Sequence, residues 1–72
     1  MDIGSYLKIT RKIAGLTQND VAEKMSLSRQ TVWNIENSRR KVGVDYITRF
    51  ASIVDKTPAV LLEGYEKVRK VI

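Results

Sequence analysis

A chain of 72 residues without a single cysteine has no covalent staple available, so whatever it folds into must be held by packed side chains alone. A chain this short buries only about 60% of the surface exposed when unfolded. That is one hydrophobic core, and residues 1–72 are read as a single domain. Histidine is absent too, which removes thiolate nucleophiles, Ser-His triads, soft zinc sites and imidazole pH switches together. Acidic pairs such as Asp20/Glu23 and Glu63/Glu66 are what helix surfaces produce routinely, and no glycine-rich phosphate loop accompanies them. The expectation is a protein that is not an enzyme and takes no metal or cofactor. The longest uninterrupted apolar run is Ala59 to Leu62, far too short for a signal peptide or a membrane span. A chain free of cysteine fits a reducing, cytoplasmic setting.

Nearly every segment carries the three- and four-residue period of an amphipathic helix. Ile3, Tyr6, Leu7, Thr10, Ile13 and Ala14 make the inward stripe of the first, with Ile9 off it and Gly15 as its stop. Thr17 is the N-cap of a second, with Asp20 as its capping partner and Val21, Ala22 and Met25 facing in. Ser26-Leu27-Ser28 is a turn that supplies the next N-cap, Ser28, and the third helix turns Val32 and Ile35 inward. After the polar, basic stretch Asn37 to Lys41, Val44, Ile47, Phe50, Ala51 and Val54 restore the period. Thr57-Pro58 opens a fifth helix. Gly64 either ends that helix or is tolerated inside it, so an extended or an additional C-terminal helix stays open. No strand-like alternation or internal repeat is seen, and the fold class is all-α.

Charge gives the functional direction. Thirteen Lys and Arg against eight Asp and Glu make the chain +5, a bias toward a polyanionic partner. Residues 29 to 41 concentrate it: Arg29, Arg39, Arg40 and Lys41 face the single acid Glu36. Two short helices joined by a tight turn, the second with a polar outer face and a basic loop behind it, form a helix-turn-helix pattern over about residues 17–37. Arg29, Gln30 and Asn34 are the residue types that engage guanine and adenine edges in the major groove, and their spacing puts them on one face near the helix start. Any one of them alone is ordinary solvated surface; the combination carries the argument. Trp33 shares that face and either touches a thymine methyl or sugar, or packs on the neighbouring loop or the terminal helix.

The run Gly15-Leu16-Thr17-Gln18-Asn19-Asp20-Val21-Ala22-Glu23-Lys24-Met25, then Ser28-Arg29-Gln30-Thr31-Val32, then Ile35-Glu36-Asn37 resembles the lambda-repressor-like, Cro/CI-type (XRE) helix-turn-helix family over about residues 3–64. The resemblance implies a compact five-helix DNA-binding domain. It also implies that Gln18 grips a DNA phosphate and braces Arg29 or Gln30, and that Arg29, Gln30, Trp33 and Asn34 read bases. Ser28 and Thr31 would meet phosphate or a thymine methyl, while Asn37, Arg39, Arg40 and Lys41 would contact the backbone beyond the recognition helix. Arg11 and Glu36 correspond to a partly buried ion pair of the family's scaffold. Ser26 and Ser38 depart from the pattern, standing where Gly or Asn takes a positive φ more cheaply. Val42-Gly43 replaces a frequent proline.

One half-site seldom gives useful specificity against a genome, so a homodimer on a pseudo-palindromic operator, with half-sites about 34 Å apart, is expected. Leu61, Leu62, Tyr65, Val68, Val71 and Ile72 are the candidate dimer surface, with residues 64–72 as its tail; capping of the monomer by that tail is the alternative. With no effector domain, membrane segment or evident small-molecule pocket, the simplest mechanism is occlusion. A Cro-like repressor of a bacterial phage or mobile element covers its operator and blocks transcription. Two alternatives share the fold: the DNA-binding antitoxin of a toxin-antitoxin pair, and a restriction-modification controller.

Overall fold

Four of the five helices begin where a side chain is available to take up the free N–H groups of a first turn. The computed structural model describes residues 1–70, and among them lie α1 (Ile3–Ile13), α2 (Gln18–Met25), α3 (Arg29–Glu36), α4 (Val44–Ile53) and α5 (Pro58–Arg69). Asp2, Thr17, Ser28 and Thr57 accept the N–H groups of Ser5, Asp20, Thr31 and Val60. Thr17 and Asp20 form the full reciprocal capping box, as their spacing predicts. Gly43 begins α4 without a side-chain cap. The Cα radius of gyration, 11.2 Å, matches the roughly 11 Å expected of a folded chain this long.

The first four helices also end alike. Gly15, Ser26, Ser38 and Asp55 sit at positive φ (76°, 54°, 58° and 57°). In each case the following N–H reaches back to a carbonyl five residues earlier: Leu16 to Arg11, Leu27 to Ala22, Arg39 to Asn34 and Lys56 to Ala51. This doubly bonded termination satisfies carbonyls that the helix leaves open. Ser26 and Ser38 thus adopt the left-handed conformation in spite of their Cβ atoms.

Helix α3 packs on α1 and α2, α4 packs on α2, and α5 packs on α4. Leu7, Val21, Ala22, Met25, Val32, Ile35, Tyr46, Ile47, Phe50, Ala51 and Leu61 form the core. The α1–α3 approach is close. A Cβ on Gly4 would collide with the Ile35 carbonyl and come within 3.0 Å of that of Glu36.

Four apolar assignments need correction. Ile13 is 82% exposed and Ala14 is exposed, because the face α1 buries is that of Gly4, Leu7, Thr10 and Arg11. Val44 is 83% exposed; the inward stripe of α4 is Tyr46, Ile47, Phe50 and Ala51. Leu61, counted among the dimer candidates, is fully buried in the core and offers nothing to a partner. Gly64 lies inside α5, where the Tyr6 hydroxyl, donating to the Leu61 carbonyl at 2.8 Å, occupies the space a Cβ would need. Tyr65 packs beside Tyr6 with ring centroids 5.5 Å apart, and Leu62 and Val68 are exposed. Val71 and Ile72 lie outside the described residues.

Tyr46 stacks on Phe50 at 6.1 Å between centroids, and its buried hydroxyl bonds no other described residue. Burial first, and the Glu36 carboxylate second, push its phenol up to about 12, with Arg11 pulling the other way. The folded state therefore holds this proton more tightly than the unfolded chain, whose phenol titrates near 10.0. Stability tied to the neutral phenol is full below that pH and drains away as pH rises through the folded value. Tyr46→Phe is expected to leave stability at pH 7 within about 1 kcal/mol of wild type or above it, and to flatten the loss on the alkaline side. Urea melts from pH 7 to 11.5 on both proteins measure this, and an alkaline loss of equal steepness in the two would refute it.

Candidate nucleic-acid interface

The polar end of α3 is positioned from beneath by a buried charge network. Glu36, the last residue of α3, receives Arg11 Nε at 2.6 Å and Arg11 Nη2 at 3.1 Å, a two-point contact between side chains almost wholly removed from water. Arg11 Nη1 donates to the Leu16 carbonyl at 2.8 Å, fixing the approach to α2. Gln18, the first residue of α2, donates Nε2 to Glu36 Oε1 at 3.1 Å. Gln18 thus braces Glu36, whereas the sequence pointed to Arg29 or Gln30. Packing of α3 on α2 puts the Glu36 carboxylate within its reach, and no spacing rule encodes that neighbour.

Above this network the turn Ser26–Ser28 leads into α3, whose outer face carries Arg29, Gln30, Trp33 and Asn34. Arg29, Gln30 and Trp33 are exposed and Asn34 is half-buried. Gln30 Nε2 donates to Asn34 Oδ1 at 3.1 Å, so the two amides stand as one unit whose bond does not use Gln30 Oε1 or the Asn34 NH2 group. Arg29 also lines an open cleft of about 400 Å³ with Arg11, Leu16, Thr17, Gln18 and Asn19, at the N-terminus of α2. Asn19 escaped the sequence reading; its position beside Gln18 in the first turn was the available signal. Asp20 in that turn is held below the usual carboxylate range, chiefly by the Thr17 N–H.

Ser28 and Thr31 bond one another. Ser28 Oγ accepts the Thr31 N–H at 3.1 Å and lies 2.9 Å from Thr31 Oγ1. Both hydroxyls are therefore engaged in starting the recognition helix. Asn37 Nδ2 donates to the Trp33 carbonyl at 2.9 Å, which closes the end of α3. The Arg39 guanidinium lies 5.8 Å from the centre of the Trp33 ring, so the neighbouring loop packs on Trp33. Arg39, Arg40 and Lys41 are all exposed and enter no ion pair among the described residues. Arg49 was also missed. From α4 it bonds the Met25 carbonyl at the end of α2 and pairs with Asp45 at 3.4 Å, tying the turn of the motif to the body. Its sequence neighbourhood shows only the exposed pair on its own helix.

A short helix, a three-residue turn and a second helix presenting amide, guanidinium and indole groups beside a basic loop define a helix-turn-helix module. The family described as "Helix-turn-helix domain" matches residues 2–63, and the chain belongs to it, in its lambda-repressor-like branch, a family of DNA-binding transcriptional regulators and not of enzymes. The HTH-type transcriptional regulator ImmR of Bacillus subtilis (strain 168) is 30% identical over 70 residues, which are 97% of this chain and 54% of ImmR. The chain thus spans about half the length of that curated relative. The restriction-modification controller protein C.AhdI from Aeromonas hydrophila is 31% identical with a TM-score of 0.73, covering 81% of this chain and 88% of that one. SinR, the master regulator for biofilm formation, solved in complex with DNA, shares the fold at 22% identity and a TM-score of 0.73 over 85% of this chain and 98% of its own. No helix among the described residues is long and apolar enough to cross a membrane.

The network at Glu36 makes a stability prediction. Arg11→Met strands a buried carboxylate and should cost about 3–5 kcal/mol, against a whole-domain stability of roughly 4–11 kcal/mol for this length. Arg11→Met combined with Glu36→Leu removes both charges and should recover most of that loss. Circular dichroism melts of the single and double variants test this; a double variant no more stable than Arg11→Met would show that the pair does not act as a unit.

Proposed function

We propose that this chain is a sequence-specific, double-stranded DNA-binding transcriptional regulator, most simply a Cro/CI-type repressor acting in the bacterial cytoplasm on an operator of phage or mobile-element type. The observation that carries the reading is the outer face of α3, where exposed Arg29, Gln30 and Trp33 and half-buried Asn34 stand beside Arg39, Arg40 and Lys41, cations that enter no ion pair among the described residues. Arg29, Gln30 and Asn34 supply the bidentate donors and acceptors that the major groove can distinguish. The cations, with Gln18 and the N–H groups at the start of α2, supply phosphate contacts that displace counterions. Occupancy of the operator blocks transcription, and the chemistry requires no cofactor, metal or small-molecule ligand.

The repressor acts as a homodimer, with Leu62, Tyr65 and Val68 of α5 as the described part of the contact. Exposure of Leu62 and Val68 beyond the needs of the core supports this, as does the small number of base pairs one module can read. A second reading, a restriction-modification controller, is favoured by the 31% identity to C.AhdI. A methyltransferase gene beside the operator would decide for it.

Binding sites selected from random duplex DNA provide the test. Arg29→Ala should relax preference at one base pair, by about 1–3 kcal/mol of discrimination. Lys41→Ala should weaken binding to all sequences and lower the salt slope by about one. Unchanged binding in both variants would place the reading face elsewhere. In sedimentation, the wild type should dimerise at high micromolar concentration or on its operator, and Leu62→Glu with Val68→Glu should remain monomeric. A wild type that is monomeric under both conditions would sink the dimer.

A further inference from the structure

The start of α1 is locked to the end of the recognition helix by a contact between residues 36 positions apart in sequence. Asp2 caps α1, its Oδ1 accepting the Ser5 N–H at 2.9 Å. Its second oxygen, Oδ2, accepts the hydroxyl of Ser38, also at 2.9 Å. Ser38 is the residue that turns the chain out of α3 at positive φ, where glycine would fit with less strain. What serine adds over glycine there is the hydroxyl, and the hydroxyl is spent on Asp2. Next to this bond the backbone of Gly4 lies against the Ile35 and Glu36 carbonyls with no room for a Cβ. The joint therefore has two fastenings, one of packing and one of hydrogen bonding. Directly beyond it run Arg39, Arg40 and Lys41, which wall an open cleft of about 450 Å³ over Ile3, Gly4, Ile35 and Val42.

We propose that Asp2 is a positioning residue for DNA binding: by holding the Ser38 hydroxyl it sets the path of the basic loop, so that an acidic side chain strengthens the grip on a polyanion. The proposal rests on the DNA-binding reading above and adds to it a residue that touches no DNA. A carboxylate suits the task because it is acceptor-only, with two oxygens for two donors that arrive from different elements. The Ser5 N–H first, and then the hydroxyls of Ser5 and Ser38, hold its carboxyl below the usual carboxylate range, so it is fully ionised at neutral pH. The loop needs such a fastening. A run of three like charges repels itself, and a loop free to move must lose that freedom when phosphates dock.

Charge and positioning predict opposite signs, which makes the test decisive. If Asp2 acts only as a charge, Asp2→Ala removes a repulsion from phosphate and binding tightens. If it positions the loop, Asp2→Ala weakens binding to the selected operator by about 5-fold, the worth of one hydrogen-bonded contact, with base preference unchanged. Asp2→Asn keeps an acceptor for the cap and an amide that can bond the Ser38 hydroxyl, and should bind within about 2-fold of wild type. Ser38→Gly relieves the left-handed backbone while deleting the hydroxyl. It should keep or raise the melting temperature and still lose affinity as Asp2→Ala does, a split that a purely structural role would not produce. The Asp2→Ala, Ser38→Gly double variant should bind no worse than the weaker single variant. Each affinity is measured on the full chain at a temperature where circular dichroism shows every variant folded. Asp2→Ala binding as tightly as wild type or more so, or losses that multiply in the double variant, would overturn the proposal while leaving the DNA-binding reading intact. A wild-type chain that retains no duplex in the selection would overturn both.

Discussion

A two-point ion pair sealed inside a domain of 8.2 kDa is costly to desolvate, and the interface is arranged around it. Glu36 ends α3, so its contact with Arg11 fixes the far end of the recognition helix against α1. Arg11 simultaneously holds the Leu16 carbonyl, and Glu36 simultaneously holds Gln18, which places the N-terminus of α2 relative to the same point. Two apolar side chains of similar volume could fill such a space at little cost in stability. They would not fix direction. The two-point contact through Arg11 Nε and Nη2 is directional, and the end of α3 and the N-terminus of α2 are both referred to it.

How legible each feature was follows from how local its cause is. Thr17 with Asp20, Ser28, and Thr57-Pro58 announced three helix starts, because a cap is a bond between residues two or three apart and the chain carries the whole of it. The five-helix architecture followed from those starts and the apolar period. Periodicity names a face without saying what the face will meet, so Ile13 and Val44 were read inward and Leu61 outward. The true inward face of α1 includes Gly4 and Arg11, one of them lacking a side chain and the other charged. Neither carries a hydrophobic signal. Tyr46 was overlooked for a related reason: its ring belongs to the core while its hydroxyl looks like a surface group.

The candidate site divides in the same manner. The residue types on the outer face of α3 were readable, since any helix of that register must turn them away from Val32 and Ile35. Apart from the Arg11–Glu36 pair that the family resemblance implies, and the packing of Trp33 on the neighbouring loop that stood as one of two alternatives, what each polar group bonds was not. Gln18 reaches Glu36, Asn37 reaches the Trp33 carbonyl, Arg39 lies over Trp33, and Arg49 reaches from α4 to the end of α2. Two of these contacts are local to the end of α3, and two cross between helices.

The turns that end the helices explain how a basic side chain comes to stand over the recognition helix. The terminations after α1, α2 and α3 share one backbone geometry, with a left-handed residue followed by a residue whose N–H bonds back to the helix. After α1 and α2 that following residue is Leu16 or Leu27, and each leucine folds down against the core, the hydrophobic contact that commonly accompanies this kind of helix end. After α3 it is Arg39. The same geometry directs a charged, solvated group over Trp33, and Arg40 and Lys41 follow it into solvent. With leucine at 39, the chain would have a third packed turn and a closed end to α3. With arginine there, the turn gives up that apolar contact and holds a guanidinium over Trp33 instead.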